Sequence, residues 1–241
     1  MISFFIPIKK VSRRIPNKNI KRIHNYKFGL TEIKIEHLIK FKKKIKKDRL
    51  LKKIKFEFII SSDDNRIEKY TKNFKWIKFD KRPKKLAKDD CLDELVRYVP
   101  RICSGKYILW THVTSPFFDQ SCYFNFLKNF LINKSKYDSA FTADRIKSFI
   151  FNKTKQSWIS HNRHLNKWPR TQDLDRIYKI NHAAFIAKRK IYEKLGDRIG
   201  RKPLPIVLKK NVLETFDIDE KADFKLLDKI IKKNEKTKNY R

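Results

Sequence analysis

Short apolar runs, typical of buried β-strands, alternate along this chain with amphipathic patterns that are typical of α-helices. The first apolar run is Ile2–Ile8. Further strand-like runs lie at 56–61, 76–79 and 107–110, and helical repeats lie at 35–45, 92–99 and 123–131. The helix at 92–99 is expected to stop at Pro100. Because strands that alternate with helices predict parallel β-α-β units, we expect an α/β fold with a doubly wound, mostly parallel, Rossmann-like sheet.

The same pattern indicates how the chain is organised. A length of 241 residues suits one large α/β domain or two small ones, and we interpret 1–241 as a single domain. Between 139 and 187 the pattern loosens into short strand candidates around a polar, aromatic stretch, which predicts an insertion or flap. Residues 233–241 are mostly polar, so we expect a frayed tail there.

The chain is strongly basic, with 61 Lys and Arg residues against 26 Asp and Glu residues and a formal net charge of +35. The positive electrostatic field of such a protein attracts nucleic acid or an anionic membrane surface. The composition is also rich in Lys, Ile, Asn and Phe, with only 4 Gly and 1 Met. An AT-rich genome produces that joint bias, and no known nucleic-acid-binding motif is present. We therefore do not expect a nucleic-acid partner despite the basic charge.

The apolar segments and the cysteines indicate the compartment. No segment reaches the roughly 18 uninterrupted apolar residues that a membrane span needs, and the amino terminus has no signal-peptide pattern. Cys91, Cys103 and Cys122 are widely spaced and form no C-x-x-C pair, so they fit reduced thiols better than disulfides or a zinc site. We expect a cytoplasmic protein without membrane insertion.

A cationic loop follows the first strand. Five positive charges lie between Lys9 and Asn19, at the end of a strand where open α/β sheets bind their ligands. Polar clusters also end later strands, at 61–64 and 111–116, and two carboxylates lie at 217–219. Cations neutralise phosphate oxygens and carboxylates hold Mg²⁺, so the set favours phosphoryl or nucleotidyl transfer. The alternative is a set of surface turns in a lysine-rich protein.

The order of these segments resembles the motifs of the CMP-sialate synthetase (acylneuraminate cytidylyltransferase) family over nearly the whole chain. Residues 6–19 are similar to I-P-A-R-x-G-S-K-x-(I/L)-P-x-K-N, and residues 59–64 are similar to V-V-S-T-D-D. Residues 82–89 are similar to R-P-x-x-L-A-x-D, and residues 114–116 match the end of L-Q-P-T-S-P. Asn181 matches the asparagine of N-G-A, and residues 216–219 match the family's carboxylate motif.

The resemblance implies a nucleotidyltransferase-type fold that couples CTP to a 2-keto sugar acid, such as a nonulosonic acid, and releases pyrophosphate. It implies a homodimer, with 139–187 contributing sugar-binding residues and dimer contacts. By the same resemblance, the catalytic residues are Lys9, Lys18 and Asp219, and the Mg²⁺ ligands are Asp217 and Asp219. The residues implied to bind the nucleotide are Ser12, Asn19, Arg82 and Asp89. Those implied to bind the sugar are His112, Arg170, Lys179 and Asn181.

The chain also departs from the family pattern. Lys9 replaces an arginine, Val11 and Arg14 stand where glycine or small residues are frequent, His112 replaces a glutamine and His182 replaces a glycine. Three alternatives remain: a transferase for the eight-carbon sugar acid of lipopolysaccharide, a related transferase for another sugar acid, and an inactive relative that binds anions or nucleic acid. Asp219 could also be a helix cap rather than a metal ligand.

Overall fold

The computed structural model describes residues 1–88, 90–208 and 212–238. The strands are β1 (Ile2–Ile8), β2 (Phe56–Ser62), β3 (Ile77–Lys81), β4 (Tyr107–Thr111), β5 (Ser139–Ile146), β6 (Phe151–Asn152), β7 (Ser157–Trp158), β8 (Ile177–Lys188) and β9 (Pro203–Val207). The α-helices are α1 (Gly29–Ile45), α2 (Asn65–Thr71), α3 (Leu92–Ile102), α4 (Gln120–Asn133), α5 (Arg189–Leu195) and α6 (Lys221–Lys238).

The central sheet has seven strands in the order β3-β2-β1-β4-β8-β5-β9. Strands β3, β2, β1 and β4 are parallel neighbours, β8 runs antiparallel to both β4 and β5, and β9 is parallel to β5. The carboxyl ends of the first four strands therefore meet at one edge, where the loops after them can form a common site. This topology confirms the predicted α/β fold with a mostly parallel sheet.

Helices cover both faces of the sheet. Along β1, Phe4 and Ile6 point into a core that is completed by α1, α4 and α6, whereas Phe5 points into a second core with α3 and α5. A strand that is buried on both faces is apolar along nearly its whole length, and this explains why β1 is apolar at every position except Ser3, whose hydroxyl donates to Glu57. The doubly wound arrangement follows from the two cores.

The structure refines several predicted boundaries. Pro100 lies inside α3, near its carboxyl end, so the helix continues to Ile102 instead of stopping at the proline. The segment at 139–187 begins and ends in the central sheet, as β5 and β8, and the small β6–β7 hairpin lies between them. Helix α6 includes residues 233–238 of the expected tail, and residues 239–241 lie outside the described part.

The three cysteines lie in the interior of the fold. Cys91, Cys103 and Cys122 are buried free thiols, as predicted. Among the described residues, no helix combines the length and the apolar character that crossing a bilayer requires.

Candidate active site

The predicted site residues converge on one cleft of about 660 Å³ at the carboxyl ends of the parallel strands. One wall is the loop after β1, another carries the residues after β3 and β4, and the segment before α6 closes the third side. The cleft is lined by these predicted residues: Lys9, Ser12, Lys18, Asn19, Arg82, His112 and Asp219.

The loop after β1 is held in shape by Asn19, which is only 8% exposed. Its side-chain Nδ2 donates to the carbonyl of Lys9 at 2.9 Å, and its own carbonyl accepts from the Thr31 hydroxyl at 2.7 Å. The residue with left-handed backbone geometry is Asn17, with φ of 54°, whereas Val11 and Arg14 do not have positive φ. The loop therefore turns at Asn17, so its path does not require glycine at the two positions where the family pattern differs.

Two lysines of this loop approach the cleft from partly buried positions. Burial lowers the pKa of Lys9, and the positive charge of Arg13 adds to that effect. The ammonium of Lys18 donates to the carbonyl of Ile218 at 2.6 Å and lies 4.0 Å from Oδ1 of Asp219. Burial lowers the pKa of Lys18, while the nearby carboxylates of Asp219 and Asp217 raise it. The cations of this wall are thus brought together before any anion binds.

Arg82 is a buried cation fixed by a hydrogen-bond network. It is 5% exposed, and its Nε donates to Oγ of Ser61 at 3.1 Å while Nη2 donates to the Ser61 carbonyl at 2.5 Å. Ser61 in turn donates to Asp80, which also accepts from Tyr98. Burial lowers the pKa of Arg82, and the carboxylates of Asp63 and Asp80 counteract that shift. The guanidinium is therefore pre-positioned at the cleft to bind an anion.

Two carboxylates before α6 have different surroundings. Oδ1 of Asp217 is buried and has no hydrogen-bond partner among the described residues. Burial raises the pKa of Asp217, and the charge of Asp219 raises it further, whereas a hydrogen bond from Thr114 lowers it. Asp219 is half exposed, and its Oδ1 lies 3.3 Å from Nη1 of Arg14. An unsatisfied carboxylate oxygen beside a second carboxylate fits a hard cation such as Mg²⁺.

The start of α6 tests the alternative that Asp219 is a helix cap. The backbone amides of Asp219 and Glu220 donate to Oδ2 of Asp223 at 2.9 and 2.7 Å. Asp223 therefore caps this helix from within its first turn, while the Asp219 side chain faces Arg14 and Lys18. The described residues contain no group of three or more His, Cys, Asp or Glu side chains suited to a metal, so a cation at this pair would need oxygen ligands from water or substrate.

His112 lines the other end of the cleft and is neutral. Trp110 donates from Nε1 to Nε2 of His112 at 3.0 Å, so the proton of the imidazole is on Nδ1. Burial, followed by the positive charge of Arg198, lowers the pKa of His112 to about 3. His182 has a φ of 60°, and burial together with Arg198 lowers its pKa as well. This end of the cleft therefore offers neutral donors, and Arg198 is the cation that acts most strongly on both imidazoles.

The sequence did not point to Arg198, which follows α5 and belongs to none of the recognised motifs. Its guanidinium carbon lies 3.9 Å from the ring centroid of Phe185 and 5.1 Å from that of Trp110. Those rings belong to β8 and β4, and the two residues are directly paired across the sheet. Only the folded sheet brings these three side chains together, so no local pattern could have identified the arginine.

Three of the predicted sugar-binding residues do not line this cleft. Arg170 is 75% exposed at its side chain and pairs with Asp173 at 2.8 Å, and Lys179 is exposed on β8. Asn181 is buried, with Nδ2 donating to Asp144 at 3.3 Å. Asp89, predicted to bind the nucleotide, lies outside the described residues.

A buried lysine supports the segment between β4 and α4. Lys34 is 1% exposed, and its Nζ donates to the Ser115 carbonyl at 3.2 Å and to the Tyr123 hydroxyl at 2.9 Å. The chain of hydrogen bonds continues from Tyr123 to Thr111 at 2.7 Å and from Thr111 to the Ala183 carbonyl at 2.8 Å. Burial lowers the pKa of Lys34 to about 7. This network ties α1 to the strand ends that carry His112 and His182.

Several solved structures have a similar architecture. CMP:2-keto-3-deoxy-manno-octonic acid synthetase complexed with CTP superposes with a TM-score of 0.60 and 14% identity, over 97% of this chain and 99% of that one. 4-Diphosphocytidyl-2C-methyl-D-erythritol synthase from Anaerococcus prevotii DSM 20548 superposes with a TM-score of 0.61 and 11% sequence identity. The match covers 96% of this chain and 98% of that one. The bifunctional IspDF from Campylobacter jejuni superposes with a TM-score of 0.58 and 14% sequence identity, and the match covers 93% of this chain and 53% of that one.

The fold is nucleotidyltransferase-like. This confirms the fold type that the motif resemblance implied, and identities of this size establish the fold alone. No protein-family model and no curated protein matches the sequence.

Proposed function

We propose that this protein is a cytidylyltransferase that transfers CMP from CTP to a 2-keto sugar acid and releases pyrophosphate. One observation carries the proposal: a single cleft at the carboxyl ends of parallel strands unites a cationic loop, the buried Arg82 and Asp219, and Asp217 lies close enough for the two carboxylates to interact. The motif resemblance supports the cytidylyl donor. A structural neighbour that is named for a CMP-activated sugar acid and was solved with CTP adds further support.

In the proposed reaction, the anomeric hydroxyl of the acceptor attacks the α-phosphorus of CTP, and the bond to the pyrophosphate oxygen breaks. Negative charge grows on the leaving pyrophosphate, so fixed cations lower the barrier. Lys9, Lys18 and Arg82 are the candidates for this role, because each lines the cleft from a partly or fully buried position. Their neighbours hold them in place, so little reorganisation is needed when the nucleotide binds.

Mg²⁺ fits the carboxylate pair, and Asp217 and Asp219 are the residues that would hold it. When bound there, it would supply charge neutralisation at the phosphates. The protein's own residues prepare that position: Lys18 fixes the backbone of Ile218 between the two carboxylates, and the backbone amide of Ile218 donates to the Thr114 carbonyl at 2.9 Å. The pair is thereby attached both to the cationic loop and to the end of β4.

His112 has a restricted role in this proposal. Its Nε2 lone pair accepts the Trp110 hydrogen bond, and its Nδ1 carries the proton, so the ring has no free basic nitrogen. We therefore assign it hydrogen-bond donation to the acceptor rather than proton abstraction. A neutral donor also leaves the charge of the acceptor's acid group for a cation to bind.

The decisive test is pyrophosphate release by the purified chain with Mg²⁺, each of the four nucleoside triphosphates and a panel of eight- and nine-carbon 2-keto sugar acids. We expect release with CTP and at least one acid, with the CMP-sugar identified by mass spectrometry. Turnover with no acid would refute the proposal. Tight, strongly salt-dependent binding of an oligonucleotide without any turnover would instead support the basic binding protein.

A further inference from the structure

Arg198 occupies an unusual position for an arginine. Its guanidinium lies over the rings of Phe185 and Trp110, at 3.9 and 5.1 Å from their centroids, and burial lowers its pKa. Among the residues that the structure describes, no side chain or carbonyl makes a hydrogen bond or ion pair with this guanidinium. The group is partly removed from water and yet its charge is not compensated by a bonded partner.

The contact with the rings determines which groups remain available. An arginine that stacks on an aromatic face uses the face of its planar guanidinium, so the N–H groups around the edge stay free. Those donors form a planar fork that matches the two oxygens of a carboxylate. A partly desolvated fork without a partner is a binding group for a carboxylate that the protein itself does not supply.

Arg198 is not itself among the residues that line the cleft, but its neighbours place its fork directly beside the wall that carries Trp110 and His112. Trp110, which it contacts, and His112, whose pKa its charge lowers, both line the cleft. The pKa of His182 is also lowered by the charge of Arg198, and His182 lies two residues before Ala184, where the pairing of β8 with β4 begins. Arg170 and Lys179, the residues expected from the motif resemblance to bind the sugar carboxylate, are exposed and do not line the cleft, although the charge of Lys179 reaches His182.

We propose that Arg198 binds the carboxylate of the acceptor and thereby selects acids over neutral sugars. This inference rests on the proposed transfer reaction, but it concerns a residue that neither the motifs nor the neighbouring structures assign. The rings of Phe185 and Trp110 orient the fork, and the neutral His112 and His182 add no charge beside it.

Binding and turnover together test the inference. The full chain is titrated calorimetrically with 2-keto-3-deoxy-manno-octonate and N-acetylneuraminate, and with their methyl esters, using CMP in place of CTP so that no transfer follows. We expect the wild-type protein to bind an acid about 10- to 100-fold more tightly than its ester, since hydrogen bonds to charged groups have that value. In R198Q this preference should disappear, while R198K should retain part of it because the charge remains without the fork.

The matched control is R201Q, which removes an exposed arginine from the same segment and should keep the preference for the acid. An unchanged preference in R198Q, or a wild-type protein that binds acid and ester equally, would overturn the inference.

Measurements of turnover distinguish a failure of the Arg198 inference from a failure of the proposed transferase function. If an acid is converted and R198Q keeps the wild-type acceptor KM, only the role of Arg198 fails; if acids bind through Arg198 without pyrophosphate release, only the transferase proposal fails.

Discussion

The two ends of the cleft are built in different ways. The proposed nucleotide half consists of residues 9–19 with Arg82, and most of its groups follow one another along a single loop that Asn19 holds in shape. The proposed acceptor half consists of His112, which lines the cleft, and of His182 and Arg198 beside it; the three come from separate segments and lie near the rings of Trp110 and Phe185. A contiguous loop can be recognised as a motif, whereas a site assembled across strands can be recognised only in the fold.

The two halves also differ in how they handle charge. The nucleotide half concentrates cations, several of which have lowered pKa values because they are buried near one another. The proposed acceptor half carries Arg198 beside two imidazoles whose pKa values are lowered, so they stay neutral at physiological pH. This contrast suits a polyanionic phosphate chain on one side and an acceptor with a single acid group on the other.

The largest effect is expected at Asp219, which lies between the two halves. D219A removes a carboxylate of the proposed cation pair, and we expect kcat to fall by at least about 100-fold, since a bound metal contributes several kcal/mol. The measurement is pyrophosphate release at saturating CTP and acceptor.

The control for that prediction is D223N, which weakens the cap of α6 and is expected to lower stability by about 1 kcal/mol while leaving kcat near the wild-type value. A D219A variant with normal turnover and reduced thermal stability would show that Asp219 is structural.

Arg82 should affect the nucleotide half alone. In R82K the buried fork to Ser61 is replaced by a point charge, so CTP affinity should fall by about 10-fold or more, as expected for hydrogen bonds to a charged group. Calorimetric titration with CTP measures the change. Affinity for the sugar acid in the presence of CMP should stay the same, and a parallel loss of acid affinity would break the proposed division of the cleft.

His112 gives a smaller effect on the acceptor half. H112A removes the Nδ1 donor and should raise the acceptor KM by about 10-fold, whereas H112N, whose amide nitrogen replaces Nδ1, should retain most of the affinity. Because the pKa of His112 is lowered to about 3, it stays neutral across pH 5.5 to 8. An ionisation in the wild-type pH–rate profile near pH 6.5 that H112A abolishes would contradict this role.

Lys34 should produce the smallest effect, on the pH dependence of stability. Burial lowers the pKa of Lys34 to about 7 in the folded protein, whereas the ordinary value for a lysine, which applies to the unfolded chain, is 10.5. Between these values the unfolded chain binds a proton that the native state does not, so rising pH stabilises the wild-type protein by about 1 kcal/mol per pH unit. Below pH 7 both states are protonated and the dependence ends.

K34M has no such group, so its stability relative to wild type should decline as the pH rises from 7 to 9 in urea unfolding experiments. The adjacent His37 does not titrate in this window, because burial lowers its pKa to about 3. A difference between the two proteins that stays constant over this range would mean that Lys34 remains charged when buried.

Much of the fold could be predicted from the sequence because parallel strands buried on both faces read as apolar runs. Strand β9 was missed because Pro203 and Pro205 argue against a strand, and it lies at the edge of the sheet, where prolines are tolerated. The antiparallel direction of β8 was also not foreseen, since β4 and β8 are separated by α4, β5 and the hairpin.

The same distinction applies to the site. Lys9, Lys18 and Arg82 were predicted because they lie in or beside recognisable segments, and the fold brings them to one cleft. Arg198 was missed because its significance depends on the rings of Phe185 and Trp110, which no spacing in the sequence encodes. Local signals identified the phosphate-facing side, and only tertiary packing identified the other.

The hydrogen bond from Lys18 to Ile218 joins two residues that are 200 positions apart, and it has a consequence for the newly made chain. Synthesis proceeds at roughly 5–20 residues per second, so the cationic loop leaves the ribosome about 10–40 s before the segment with Asp217 and Asp219. During that interval the growing polypeptide carries anion-attracting groups without the carboxylates that face them. The segment with Asp217 and Asp219 completes the proposed site after the loop has been made, so chains arrested before residue 217 are expected to attract phosphates without the carboxylates that the proposed transfer requires.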